Sequence, residues 1–346
     1  MTKIPEYDQV FTFENLYAAH LAARKGKRHK AEVIAFEMHL AENLIRLHQA
    51  LQNRSYRQQG YYSFMVYEPK ERLIHAPYYA DRVVQHCLCD NLLRPALEPR
   101  LIYDNAACRK DKGTHFAMRR LTGFLTDFYR KHGTEGYFLK CDIQKYFNHI
   151  AHAILKEKLE KVFREPDTAH LLCQMIDSYA HDVQTGLPLG NQTSQWFALY
   201  YLDSVDRLVK ERLQIQYYTR YMDDFILIHQ SKKHLRHCLR EMRQHCAVLG
   251  LTLNQKTQIF PLRNGVAYLG WQYYLTKSGK VLRKLRTPGK HRTRHRMRGL
   301  QSDYAAGRIN MDTVKRSIVS LDGHLQHGHT HRLRGQLIGR VGFART

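Results

Sequence analysis

The sequence predicts an α+β fold organised around a split βαβ sheet and followed by a basic helical segment. Three observations carry that expectation. Tyr137–Asp142, Ile215–Arg220 and Phe225–Ile228 are rich in the β-branched and aromatic residues that suit a pleated surface. Asp142 lies 81 residues before Asp223, which leaves room for helices near Ala153 to Phe163, near Ala169 to Tyr179 and after Gln195, so that strands distant in sequence can lie side by side. Charge is segregated: from Thr276 to Thr346 there are 17 Lys and Arg against three Asp (Asp303, Asp312, Asp322), a net of +14.

Residues 1 to 58 read as mostly helical, because Val33, Ile34, Phe36, Met38, Leu40, Leu44, Ile45, Leu47 and Leu51 recur at roughly helical period. A basic arm, Lys25, Lys27, Arg28 and Lys30, precedes that run. Tyr61 to Val66 reads as a strand, Glu68 to Glu71 as a turn, and Arg72 to His75 as the returning strand before Pro77. A long helix is expected from near Tyr79, carrying Val83, Val84, Cys87, Leu88, Leu92 and Leu93 and stopping at Pro95 and Pro99. A second helix runs through Phe116 to Tyr129, and the strand that follows brings Asp142 to its end.

Tyr221-Met222-Asp223-Asp224 places two adjacent carboxylates at a tight bend between two strands. Neighbouring side chains on a regular strand point to opposite faces, so the two acids converge only if the backbone turns between them. Asp is common in turns for its own hydrogen-bonding reasons, and the bend alone would pass as an ordinary hairpin. Asp142 supplies the third acid once the sheet sets its strand beside the bend. Three carboxylates around a pair of divalent ions suit in-line phosphoryl or nucleotidyl transfer, one ion activating the attacking hydroxyl and the other stabilising the leaving pyrophosphate. Oxygen ligands point to two Mg2+, with Mn2+ as a substitute.

At 346 residues the chain can bury a sizeable core in two or three domains. Lys plus Arg number 55 against 31 Asp plus Glu, a net charge of +24, which implies a polyanionic partner. The longest apolar runs are too short to span a bilayer and the N-terminus lacks a signal-like stretch, so no membrane role and a cytoplasmic location are expected. Seven scattered cysteines without Cys-x-x-Cys spacing argue against a disulfide framework and for buried thiols in a reducing compartment.

Several ordered blocks make the chain resemble the reverse transcriptase family. Tyr221-Met222-Asp223-Asp224, with Asp142 ending the strand in Phe138-Leu139-Lys140-Cys141-Asp142-Ile143, looks like the family's palm. Arg72-Leu73-Ile74-His75-Ala76-Pro77 with Asp81-Arg82-Val83-Val84-Gln85 is similar to its first finger block, and Tyr103 to Thr114 to its second. Leu251 to Thr257 and Tyr268-Leu269-Gly270-Trp271 look like the two blocks after the catalytic hairpin. The resemblance implies a right-hand polymerase, with residues 1–58 as an N-terminal helical extension, 59–135 as fingers, 136–275 as a ferredoxin-like palm with finger-side helices inserted, and 276–346 as a basic helical thumb. It implies RNA-directed DNA polymerase chemistry with Asp142, Asp223 and Asp224 catalytic, and with the backbone carbonyl of Ile143 joining them as metal ligand.

The subgroup is carried by Gly186-Leu187-Pro188-Leu189-Gly190-Asn191-Gln192-Thr193-Ser194-Gln195. Most bacterial relatives have Gln at the position of Leu189 and Ser-Pro where this chain has Ser194-Gln195; an apolar residue before the glycine, followed by x-x-x-Ser-Gln, resembles the reverse transcriptases of diversity-generating retroelements. Ser320 to His324, with Thr330, is also similar to that subgroup. The resemblance implies copying of a template-repeat RNA into cDNA with misincorporation opposite adenine. It also implies an RNA/cDNA hybrid and dNTPs as ligands, a small basic oligomeric accessory variability protein as partner, and a bacterial or phage-encoded source. A defence-associated, retron-like or group II-like reverse transcriptase is the alternative within the family. A catalytically dead RNA-binding scaffold is the alternative outside it, and the intact Asp142, Asp223 and Asp224 argue against that one.

Individual residues take roles from the same reasoning. Lys70 and Arg72, on a two-stranded finger, can neutralise triphosphate oxygens. Phe147 stands where the family puts a bulky ring against the sugar, rejecting a 2′-hydroxyl by contact. Leu189, Gly190 and Gln195 line the nucleotide, Leu189 offering only surface contact where relatives can hydrogen-bond. Lys256 is a candidate acid or charge stabiliser for pyrophosphate. Arg109, Tyr221, Met222 and Tyr268-Leu269-Gly270 are expected against primer or template, glycine permitting close backbone approach. Arg292, Arg294 and Arg296 are expected on a thumb helix, holding phosphates without reading sequence. The histidine-rich tract His324 to His331 reads as a polar turn in the thumb.

Overall fold

The computed structural model describes residues 4–67, 70–339 and 342–344. Its N-terminal stretch is helical as expected: α1 (Tyr7–Val10), α2 (Phe13–Ala23), α3 (Ala31–Met38) and α4 (Leu40–Gln52). Thr12 caps α2 by accepting from the Asn15 amide. Strands β1 (Tyr61–Val66) and β2 (Arg72–Pro77) pair antiparallel with Phe64 opposite Ile74. Of the expected turn between them, Glu68 and Pro69 lie outside the described residues.

The helix from Tyr79 differs from expectation at its end. Helix α5 (Tyr79–Leu88) does not stop at Pro95; a π turn at Cys89–Leu93 carries it into α6 (Arg94–Leu97). The wider turn restarts the ladder so that Pro95 falls in the first turn of α6, where its missing N–H leaves no bond unmade. Helix α7 (Thr114–His132) then leads into β3 (Tyr137–Asp142), the strand expected to end on Asp142. Next come α8 (His152–Glu160), α9 (Pro166–Asp177), α10 (Gln192–Tyr201) and α11 (Asp203–Arg207), then β4 (Tyr217–Tyr221) and β5 (Asp224–His229), α12 (Lys232–Val248) and β6 (Gln258–Pro261).

These four strands form one sheet in the order β4-β5-β3-β6, with β3 and β6 antiparallel and Phe138 opposite Phe260. Numbered along the chain that is 2-3-1-4, the order of a β-α-β-β-α-β ferredoxin-like layer, so the split βαβ expectation holds. Tyr217–Arg220 on the edge strand β4 and Phe225–Ile228 on the inner strand β5 are buried throughout, because both faces of these strands are covered.

The chain divides into two compact units. The first comprises Met1–Gly113, Cys141–Phe225 and His237–Thr257, and the second Thr114–Lys140, Ile226–Arg236 and Gln258–Thr346. Val83, Val84, Leu97, Phe197, Tyr201 and Tyr218 are among the fully covered residues of the first. In the second, β7 (Val266–Tyr268), β8 (Trp271–Leu275) and β9 (Val281–Leu285) form an antiparallel sheet, followed by α13 (Thr287–Ala305), α14 (Met311–Gln326) and α15 (His331–Leu337). The turn joining β7 to β8 has Leu269 at φ 47° and Gly270 at φ 87°, the positive pair that a type I′ hairpin turn requires. Gly328, between α14 and α15, lies so close to the Trp271 ring that a Cβ there would clash with it. No described helix is long and apolar enough to cross a membrane.

Candidate active site

The bend at Tyr221-Met222-Asp223-Asp224 is a two-residue turn: Tyr221 ends β4, Asp224 begins β5, and Met222 and Asp223 connect them. Met222 sits at φ 54°, a left-handed conformation uncommon for a residue with a Cβ. Asp142 ends the neighbouring strand β3, and its charge is felt at Asp223. Burial and then the Asp142 charge push the Asp223 carboxyl up to about 6, against partial relief from Arg72 and Arg220. The structure thus brings Asp142, Asp223 and Arg72 of β2 into one electrostatic neighbourhood. The charge of Asp224 reaches Cys141, whose buried thiol is held above its ordinary range.

Asn254 braces the first carboxylate. Its amide N–H donates to the Asp142 carbonyl at 2.7 Å and its Nδ2 to Asp142 Oδ2 at 3.2 Å. The Asn254 Oδ1 in turn accepts from the Lys256 amide at 3.0 Å, so one residue fixes both Asp142 and the backbone of the exposed Lys256. Ile143, one step past Asp142, is buried and bridges to Leu253.

The nucleotide-side candidates are tied together through backbone. Leu187 N–H donates to the Phe147 carbonyl at 2.8 Å, and His75 N–H on β2 donates to the Leu189 carbonyl at 2.9 Å. Gly190 is at φ 127°, and a Cβ there would stand 2.8 Å from the His75 carbonyl oxygen, so glycine is required twice over. Phe147 and Leu189 are both half-buried. Gln195, on the first turn of α10, accepts from the Cys108 thiol at 3.5 Å. Lys70 is exposed.

Arg109 is engaged in its own segment: its guanidinium donates to Glu98 Oε1 at 3.1 Å and to the carbonyls of Ile102 and Asn105 at 2.8 and 3.1 Å. Tyr268, Leu269 and Gly270 belong to the second unit, where Tyr268 is buried and pairs across the turn with Trp271. Arg292, Arg294 and Arg296 are exposed along α13 of that unit. Sequence reasoning missed Asn254 and the buried pair Arg220 and Asp206 behind the bend.

The donor set suits a hard divalent cation such as Mg2+, being all oxygen, and the mutual repulsion of Asp142 and Asp223 is what such an ion would relieve. Among the described residues no three or more His, Cys, Asp or Glu side chains are already gathered as a metal cage. The fit is therefore one of charge and ligand chemistry.

Residues 68–273 match the protein family described as reverse transcriptase (RNA-dependent DNA polymerase). The chain belongs to the reverse transcriptase family. A comparison with curated protein sequences finds no match. Among solved structures, apo telomerase from Candida tropicalis is similar at 14% identity and TM-score 0.50, covering 66% of this chain and 49% of that one. The C-terminally truncated form from the same yeast gives 15% identity and TM-score 0.49 over 71% of this chain and 60% of that one. Telomerase from Candida albicans with a fragment of telomeric RNA gives 11% and 0.48 over 70% and 49%. This reverse transcriptase chain thus spans about half to three fifths of the length of those structures, and at such identities the first likeness speaks to fold alone.

Proposed function

We propose that the chain is the polymerase of a diversity-generating retroelement, copying a template-repeat RNA into cDNA with misincorporation opposite adenine. The observation that carries the polymerase part is the meeting of Asp142 with the Asp223-Asp224 bend on adjacent strands of a ferredoxin-like sheet. The subgroup rests on Leu189, in the loop that bonds to β2, and on Ser194-Gln195 at the start of α10.

In the reaction the primer 3′-oxygen attacks the α-phosphorus of a dNTP, forming the new phosphodiester as the bond to pyrophosphate breaks. Mg2+ bound by Asp142, Asp223 and Asp224, with the Ile143 carbonyl, would supply activation of that oxygen and neutralisation of the leaving group. Asn254 holds Asp142 in place at two atoms. Arg72 and Lys70 offer positive charge to the triphosphate, and Lys256 offers it to the departing pyrophosphate. Phe147 excludes a 2′-hydroxyl, and Leu189 leaves the base to be judged by pairing with the template. Tyr221 and Met222 are assigned to primer or template, as is the Tyr268-Leu269-Gly270 turn of the second unit, and the α13 arginines to the phosphates of the RNA/cDNA hybrid. A small basic accessory protein is the expected partner in a bacterial or phage-infected cytoplasm.

The test is extension of primed RNA by the purified chain with Mg2+ and dNTPs, with Asp223→Ala as control, followed by sequencing of the product. Extension by wild type only, with errors concentrated opposite template adenine, is the expected result. Product formed without any RNA template would favour the defence-associated reading. Accurate copying would remove the diversity-generating one.

A further inference from the structure

We infer that Arg220 is a positioning residue for the catalytic bend, acting with Asp206 as a buried clamp that holds Met222 in its left-handed conformation and so aims Asp223 and Asp224. The inference rests on the polymerase reading. Arg220 is fully buried in strand β4, as is Asp206 on α11, a placement strongly unfavourable for either ion left alone. Their geometry is bidentate: Nε donates to Asp206 Oδ1 at 2.8 Å and Nη2 to Oδ2 at 2.5 Å. Tyr218 also donates its hydroxyl to Asp206 Oδ1, at 2.5 Å. The remaining guanidinium hydrogens reach outward, Nη2 to the Leu199 carbonyl of α10 at 3.1 Å and Nη1 to the Met222 carbonyl at 2.9 Å.

That last bond falls on the residue whose backbone is strained. A non-glycine residue in this region is strained and persists only where surrounding structure over-determines it. A bond from a charged, immobile donor to the carbonyl at that position is such a determinant. The backbone of Arg220 is pinned as well: its N–H donates to the Asp104 carbonyl at 3.1 Å, and its carbonyl accepts from Ala106 at 2.9 Å. One side chain therefore joins α10, α11 and the bend while its main chain joins the segment at 104–106. A misaimed carboxylate pair should cost turnover far more than binding, since a misplacement of about 1 Å can lose on the order of a hundredfold in rate.

Lysine is the informative replacement, because it can keep a charge against Asp206 but has no planar fork to reach Met222 as well. Arg220→Lys should lower kcat by about a hundredfold while the KM for dNTP and the Kd for primed RNA in EDTA move by less than about threefold. Glycine takes a positive φ without strain, so in a Met222→Gly background the same change should cost less than about tenfold. Independently of activity, hydrogen exchange of the peptide spanning residues 220–225 should accelerate at least about tenfold in Arg220→Lys, with α7 unchanged. If Arg220→Lys does not yield folded protein, Asp206→Asn serves for the same three readouts. An unchanged kcat with an active wild type, equal losses in both Met222 backgrounds, or unaltered exchange at the bend would each overturn the inference. An inactive wild type would instead count against the polymerase reading, and the exchange experiment would still decide the clamp.

Discussion

Asp223→Asn should abolish polymerisation and, in the absence of divalent ions, make the protein more stable at neutral pH. In the folded chain Asp223 titrates at about 6 instead of the ordinary 3.8, chiefly through burial and then through Asp142. A carboxyl whose pKa is raised by folding favours its protonated form. Its stabilising contribution is complete below about pH 4 and is lost as pH rises through about 6. A shift of about two units at 1.36 kcal/mol each sets a ceiling of about 3 kcal/mol on the cost of holding Asp223 ionised in the metal-free fold. At about 2.1 cal/mol/K of unfolding entropy per residue, that ceiling corresponds to about 4 °C in Tm for a chain of this length. Asparagine keeps the shape and removes the charge. The assay is thermal unfolding in EDTA at pH 7.5 and at pH 4.5, with the full gain expected at the first and about a third of it, about 1 kcal/mol, at the second. Mg2+ should then raise the Tm of wild type and not of the variant, since only an ionised carboxylate pair gains from the ion. A variant no more stable than wild type at pH 7.5, or equally stabilised at both pH values, would refute the assignment of mutual repulsion at the site.

Gly190→Ala should lower stability by about 1–3 kcal/mol and raise the KM for dNTP, because a Cβ meets the His75 carbonyl at 2.8 Å on a backbone at φ 127°; urea unfolding and steady-state kinetics check it. Asn254→Ala removes the side-chain bond to Asp142 but not the backbone one, so kcat should fall about tenfold with primer binding intact, the scale of one charge-assisted hydrogen bond. Replacing Arg292, Arg294 and Arg296 together by Ala should shallow the slope of log K against log salt for hybrid binding by up to about 3, each phosphate contact contributing about 0.9. Leu189→Gln should lower misincorporation at template adenine in sequenced extension products, with kcat little changed.

The sheet was legible because strand composition and helix spacing are local signals. Tyr137–Asp142 and the hairpin flanking Met222 appear almost where period and residue type put them. Pro95 was misleading, since whether a proline ends a helix depends on whether the preceding turn can widen, and the π turn at Cys89–Leu93 is not written in any residue type. Arg220 carried a faint signal, an arginine in a strand otherwise fit for burial. Its partner could not be chosen from sequence, because Asp203, Asp206 and Glu211 all precede it at similar distance and only the fold selects Asp206. Asn254 was hidden for the same reason, lying 112 residues from the acid it braces. Arg109, by contrast, sat in a recognisable block, and nothing local told that Glu98 and two carbonyls would occupy its guanidinium.

The division of labour at Leu189 makes its substitution interpretable. The link between the finger strand and the loop runs through the Leu189 carbonyl, which accepts from the His75 amide, and the link between the loop and Phe147 runs through the Leu187 amide. Both are main-chain bonds, indifferent to the side chain at 189. Gly190, not Leu189, is the residue whose lack of a side chain lets the two segments approach. Leu189→Gln should therefore keep the loop, the finger contact and the position of Phe147, while adding an amide that a half-buried site can leave partly solvated. A changed error spectrum with unchanged turnover would then report what the side chain contributes to base selection. Turnover and fidelity falling together would instead mean that the leucine packs the loop, because lost apolar contact moves the whole segment and cannot discriminate among template bases.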